Sequence, residues 1–197
     1  MPFDPITAEV TGRPSVVQQG VDFGGAGAAS YAVADDGTLA MVVSGVRDVG
    51  GSASLVAVSL DGRRRDLGVP PGFFRRPRVS PDGRQVAFVG TNDSRAALST
   101  DVWRAEISPA ALHRVTTSGA AERPQFARDG RTILYGTNPA SGVLHEVGLE
   151  AGSAPRVRAT WSSTMVTGDL GPSSGYAVFT VTPSVSAGFD LWIAPMT

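Results

Sequence analysis

The chain has 197 residues, 42% of them hydrophobic and 18% charged, with a formal net charge of −1. That composition suits a folded core and offers no global field for nucleic acid or an anionic membrane. It has no cysteine, and all 17 of its basic side chains are arginine. Disulfides, thiolate metal sites, a cysteine nucleophile, Schiff-base chemistry and a lysine general base are therefore excluded.

The 24 glycines and 14 prolines follow no Gly-X-Y period, which points to many short strands joined by turns. No apolar run approaches the roughly 18 residues of a membrane span, and residues 1–20 lack the basic start and apolar centre of a signal peptide. The chain is expected to be soluble as given, and is compatible with a piece of a longer exported or membrane-anchored protein.

In chain order, residues 9–19 supply a strand, Pro14–Gln19, that stands outside the repeat which follows. Gly24-Gly25-Ala26-Gly27 is Gly-rich, but it leads into the strand Tyr31–Ala34. A phosphate loop needs a helix there, so this segment reads as a connection. Ser30–Val43 then reads as two apolar strands around Asp36-Gly37, followed by a third strand at Ser54–Leu60 and a fourth at Arg64–Val69.

The second copy, Arg75–Val89, turns at Asp82-Gly83 and adds strands Asp101–Ile107 and Leu112–Thr117. The third, Glu122–Tyr135, turns at Asp129-Gly130 and adds Gly142–Leu149 and Pro155–Thr160. The fourth, Gly171–Val181, turns at Ser174-Gly175 and stops after Asp190–Met196. Asp-Gly between apolar runs signals a hairpin, because glycine accepts positive φ without steric cost.

The turn glycines Gly37, Gly83, Gly130 and Gly175 are spaced by 46, 47 and 45 residues. Four antiparallel strands per roughly 45 residues is the size of a propeller blade. The spacing predicts an all-β chain, a single β-propeller domain over 1–197. Its repeats lie near 28–70, 73–118, 121–161 and 164–197, with the N-terminal strand 9–19 beside them. Two readings stay open: about four blades closed by pairing of the N- and C-terminal strands, or a fragment of a larger propeller.

Ser80-Pro81-Asp82-Gly83 followed by Gln85–Val89, with Arg78-Val79 before it and Asp101-Val102-Trp103 after it, resembles the repeat of TolB-like propellers. Pro2-Phe3-Asp4-Pro5 with Glu9-Val10-Thr11-Gly12, Tyr31-Ala32-Val33 and Asp36-Gly37-Thr38-Leu39 is similar to the C-terminal propeller region of certain bacterial serine/threonine protein kinases. The resemblance implies a sensor or interaction module, appended to a signalling kinase and placed in the periplasm or on the cell surface. Other members of the group gate prolyl oligopeptidases. The kinase motifs themselves are absent from this sequence, and the letters Asp22-Phe23-Gly24 occur without the rest of the set.

Gly171-Pro172-Ser173-Ser174-Gly175 has the letters of a hydrolase nucleophile elbow. It lacks the preceding buried strand and following helix, and it falls on the repeat's turn. The two histidines, His113 and His145, belong to different blades, and there is no Asp-x-Asp-x-Asp-Gly calcium loop. No metal or cofactor is expected.

Arg63-Arg64-Arg65 reads as a solvated turn. Phe73–Arg78 leads into an innermost strand, near the mouth of a central channel, with Ala121-Glu122-Arg123 aligned beside it. The candidate ligand-binding residues are therefore Arg75, Arg76, Arg123 and Phe74, with Glu122 as an internal carboxylate that offsets the charge. The channel mouth would be formed by Phe23–Gly27, Phe73–Arg76, Ala121–Arg123 and Ser162–Thr164. The function expected is non-enzymatic binding of a protein, peptide or small ligand, with no nucleic-acid partner. The alternatives are the propeller domain of a hydrolase or lyase of the prolyl-oligopeptidase type, and a structural fragment stable only beside missing blades.

Overall fold

The computed structural model describes residues 3–4, 6–7, 9–13, 16, 19, 21, 30–33, 39–43, 53–59, 62–91, 99–108, 110–137, 143–160, 166–167, 170–171, 176–181 and 190–195. Among these residues none is helical. The chain opens with a hairpin that the repeat did not foretell, β1 (Phe3–Asp4) paired with β2 (Glu9–Val10). Asp4 Oδ1 accepts the Ile6 N–H at 2.8 Å and so shapes the turn.

Three four-stranded antiparallel sheets follow. The first holds β3 (Tyr31–Val33), β4 (Leu39–Val43), β5 (Ser54–Val58) and β6 (Arg64–Asp66) in that order. The second holds β7 (Phe73–Val79), β8 (Gln85–Thr91), β9 (Asp101–Ile107) and β10 (Ala110–Arg114). The third holds β11 (Ala121–Phe126), β12 (Thr132–Thr137), β13 (Val143–Gly148) and β14 (Arg156–Thr160).

In the fourth sheet, β15 (Val166–Thr167) and β16 (Leu170–Gly171) lie along one edge of β17 (Tyr176–Val181), and β18 (Asp190–Pro195) lies along the other. The described strands of this sheet occupy the first three positions of a blade. The proposed closing strand Pro14–Gln19 lies mostly outside the described residues, as do the turns Asp36-Gly37 and Ser174-Gly175. Among the described residues β18 pairs with β17 alone.

Strand alternation explains how the blades stack. Successive side chains point to opposite faces, so the central strand of a blade must be apolar on both. On β8, Val86 and Phe88 join Ala40, Val42, Leu55 and Ala57 of the first blade in one core, with Phe74 and Ala105. Ala87 points the other way and joins Ala121, Phe126, Ile133, Tyr135 and Val147 of the third blade. Backbone clasps cross the first two seams. Ala53 and Gly72 exchange both hydrogen bonds, at 2.7 and 3.0 Å. Thr100 donates to Gly119 O and accepts from the Ala121 N–H, both at 2.9 Å.

The described hairpin turns obey their sequence. The Gly83 N–H donates to Ser80 O at 2.9 Å, with Pro81 and Asp82 at the central positions and Gly83 at φ +69°. This is a type I pattern, with glycine supplying the left-handed residue that returns the chain to the ladder. Asp82 Oδ1 accepts the Ser80 hydroxyl at 2.6 Å and the Arg84 N–H at 3.1 Å. The Ser80 bond, ahead of the backbone bonds and the Arg84 charge, holds the Asp82 carboxyl below its usual range.

A depressed folded value adds stability above the unfolded carboxylate pKa of about 4 and loses it as pH falls through the folded one. Asp82→Asn is expected to melt below the wild type at pH 6, with the gap closing as pH falls below about 4. A gap that stays constant as pH falls, followed by circular dichroism, would show that the ionised carboxylate contributes nothing.

The fourth strands differ most from their predicted positions. The prediction Leu112–Thr117 becomes Ala110–Arg114. The Val115 N–H still donates to Val102 O in register at 2.8 Å, and the ladder stops there because the Val102 N–H turns to Thr116 Oγ1 at 3.0 Å, whose hydroxyl is held by Asp101. The prediction Arg64–Val69 shortens to Arg64–Asp66, since Leu67 and Val69 turn inward to the first seam.

Candidate functional site

The inner edge strands β7 and β11 of neighbouring blades lie in contact. Each carries a one-residue bulge against its partner strand, between Arg75 and Arg78 on β7 and between Glu122 and Gln125 on β11. The bulged dipeptides are Arg76-Pro77 and Arg123-Pro124. Arg76 sits at φ +52° and Arg123 at φ +54°. Neither is glycine, and a residue before proline is normally driven to extended backbone. A non-glycine residue held in the left-handed region costs about 1 kcal/mol or more. In the fourth sheet the register is the same on both sides of residues 168–169, where no Arg-Pro pair occurs. The dipeptide therefore accompanies the bulge.

The two bulges bring charges together. Arg75 Nη2 donates to Glu122 Oε1 at 2.9 Å. Arg76 Nε stands 3.3 Å from Glu122 Oε2, an ion-pair distance without hydrogen-bond geometry. The Glu122 side chain is 4% exposed, against 30% for Arg75 and 46% for Arg76. Burial pushes the Arg123 guanidinium below its ordinary value. Arg76 adds to this, Glu122 opposes it, and Arg75 lowers it further. Among the described residues, Arg75 and Arg76 pair with the Glu122 carboxylate and Arg123 couples electrostatically to all three, so three guanidiniums share one carboxylate with two positive charges in excess. The buried Nε atoms of Arg75 and Arg123 have no hydrogen-bond partner among the described residues. The Arg75 guanidinium also lies 5.1 Å over the Phe73 ring.

Of the four residues predicted for the site, Arg75, Arg76 and Arg123 converge. Phe74 needs correction. It is buried in the first seam, edge-on to Phe88 with ring centroids 5.0 Å apart, so it packs the core rather than facing a ligand. Strand alternation is the reason: Phe73 and Arg75 share the face that Phe74 leaves. The segments Phe23–Gly27 and Ser162–Thr164, and the Ser173-Ser174 turn, lie outside the described residues.

His113 is exposed on β10, 3.8 Å from Glu106, while His145 on β13 stacks on Tyr135 at 5.1 Å. The two belong to separate sheets. Arg63–Arg65 are exposed at the outer strand β6. The sequence reading passed over a second buried polar group, Asp101. Its Oδ1 accepts the Thr116 hydroxyl at 2.7 Å and the Gly119 N–H at 3.2 Å, while Oδ2 takes Arg114 Nη2. The recurrence of Asp before an apolar-Trp pair, at Asp101-Val102-Trp103 and Asp190-Leu191-Trp192, was the available signal.

Successive four-stranded antiparallel blades with apolar seams, and a polar cluster on adjoining inner edges, define a β-propeller. Among solved structures the chain is similar to TolB from Acinetobacter baumannii, at 16% identity and a TM-score of 0.68, covering 85% of this chain and 40% of that one. It is also similar to a putative TolB from Agrobacterium tumefaciens, at 18% identity and a TM-score of 0.64, covering 89% and 65%. The acylaminoacyl peptidase of Pyrococcus horikoshii matches at 14% identity and a TM-score of 0.54, covering 84% of this chain and 30% of that one. The chain therefore spans 40% and 65% of the lengths of the two TolB structures, and the likeness is one of fold. No protein family matches the sequence, and no curated protein matches it.

Proposed function

We propose that the chain is a non-enzymatic interaction module that binds an anionic partner, a protein segment, a peptide or a small ligand, on the inner edges of its second and third blades. One observation carries this reading: among the described residues, Arg75, Arg76 and Arg123 share a single buried carboxylate, Glu122, with two positive charges to spare. Like charges held together are unfavourable unless an anion completes them. Guanidinium forks suit oxyanions, and residues displayed at blade edges can vary without disturbing the seams. The resemblance of the N-terminal segment and first repeat to kinase-associated propellers supports a further reading, that the module serves a bacterial signalling kinase from outside the cytoplasm. The hydrolase alternative rests on the likeness to the acylaminoacyl peptidase propeller.

Titration calorimetry with Asp/Glu-rich peptides tests the reading. The double variant Arg76→Ala, Arg123→Ala is expected to lose about tenfold or more in affinity per arginine, the size of a charge-assisted hydrogen bond. Unchanged affinity in a variant with a native circular-dichroism spectrum overturns the site. Turnover of ester, peptide or glycoside substrates overturns the non-enzymatic reading.

A further inference from the structure

We infer that the ligand group this site takes is a phosphate monoester dianion rather than a carboxylate; the inference rests on the anion-binding reading above. The surplus of two charges is the first ground. A carboxylate leaves one guanidinium charge uncompensated, whereas a phosphate monoester carries about −1.5 to −2 at neutral pH and three acceptor oxygens. The number of donors is the second. Arg75 and Arg76 both reach Glu122 and Arg123 couples electrostatically to all three, while Glu122 engages Arg75 through Nη2 alone and makes no hydrogen bond with Arg76 among the described residues. The buried Nε atoms of Arg75 and Arg123 also lack a partner among the described residues.

The backbone is the third ground. Arg76 and Arg123 occupy equivalent bulges in adjacent blades, at φ +52° and +54°. The left-handed conformation that glycine adopts without strain is here given to arginine twice. The charged residues of β7 and β11 are Arg75, Arg76, Arg78, Glu122 and Arg123, and the strands packed against them, β3, β4, β8, β9 and β12, add Tyr31, Asp101, Arg104, Glu106 and Tyr135, with no histidine in any of these strands. A change in affinity near neutrality therefore belongs to the ligand.

The experiment is calorimetry on the whole chain with inorganic phosphate, O-phosphoserine, a phosphoserine heptapeptide, and acetate and an Asp-containing heptapeptide as carboxylate controls. Phosphate and O-phosphoserine are expected to bind more tightly than acetate by at least tenfold at pH 7.5. O-phosphoserine is expected to weaken several-fold by about pH 5, below its second ionisation near pH 6, while the Asp peptide stays level. Arg76→Ala and Arg123→Ala should each lower phosphate affinity about tenfold. Arg76→Lys, which keeps the charge and loses the fork, should recover part of it.

If the peptide exceeds free O-phosphoserine, the source is a phosphorylated protein segment. If the two are equal, it is a small phosphorylated molecule, and both outcomes support the inference. If the Asp peptide binds in an Arg76-dependent way and phosphate does not, the phosphate inference falls while the interaction site stands. If neither binds, both fall. A variant that fails to fold is replaced by a chemical-shift titration of the wild type, in which phosphate must move the arginine Nε resonances that acetate leaves in place.

Discussion

Asp101→Ala is expected to lower the unfolding free energy by about 3 kcal/mol, the lower end of the range for removing one partner of a buried ion pair. Asp101 is only 3% exposed and serves three donors: Arg114, the Thr116 hydroxyl and the Gly119 N–H. Removing it strands a buried hydroxyl and a backbone donor as well as a guanidinium. The value falls at the lower end because the Arg114 side chain is 41% exposed and can rehydrate.

The position is also topological. Gly119 holds φ +71° so that its N–H meets Asp101, and its carbonyl accepts from Thr100 across the second seam. The substitution therefore loosens the third blade from the second. Asp101→Asn, which keeps one acceptor oxygen, is expected to cost about half as much. Urea titrations at constant slope read the difference. A loss under about 1 kcal/mol for Asp101→Ala would place the network among ordinary surface pairs.

Glu122→Gln is expected to destabilise by about 2 kcal/mol, and here two ranges compete. Exposed pairs are worth about 0–1 kcal/mol, and breaking a fully buried pair costs about 3–5 kcal/mol. Glu122 is buried, but Arg75 and Arg76 retain 30% and 46% exposure, so the cost falls between. Glutamine keeps the shape and removes the charge, leaving three guanidiniums to repel one another. Raising salt to about 0.5 M shortens the Debye length to a few ångströms and should recover part of the loss. Phosphate affinity should move the other way and rise several-fold, since the surplus becomes three. A variant that loses stability equally at all salt concentrations would show that shape, not charge, is what Glu122 supplies.

The blade order was legible because it rests on local chemistry. Asp82-Gly83 and Asp129-Gly130 demand a turn, and the apolar alternation of Gln85–Val89 and Thr132–Tyr135 demands a strand with two faces. The convergence of Arg75, Arg76 and Arg123 was legible from the alignment of two Arg-Pro dipeptides, and Glu122 as their counter-ion from its place in the same segment.

What sequence did not reveal was direction and depth. Phe73 and Phe74 look alike as letters, and only the strand's pleat decides that one carries Arg75 while the other enters the seam. The left-handed backbone at Arg76 and Arg123 was hidden too. A residue before proline is expected to be extended, and only the pairing with β8 and β12 forces the bulge. The Asp101 network escaped because its partners, 13 to 18 residues away, are brought to it only by the pairing of β10 with β9 and by the connector that follows.

The clasps at Ala53–Gly72 and Thr100–Ala121 have a mechanical consequence. Each belongs to two blades, joining the start of one blade's third strand to the connector that begins the next. A blade cannot be lifted from the stack without tearing bonds that its neighbour also uses. Pulled from its ends, the chain should therefore resist until a clasp fails and then yield in steps longer than one repeat, and a tether fixed to one blade would transmit tension to the next.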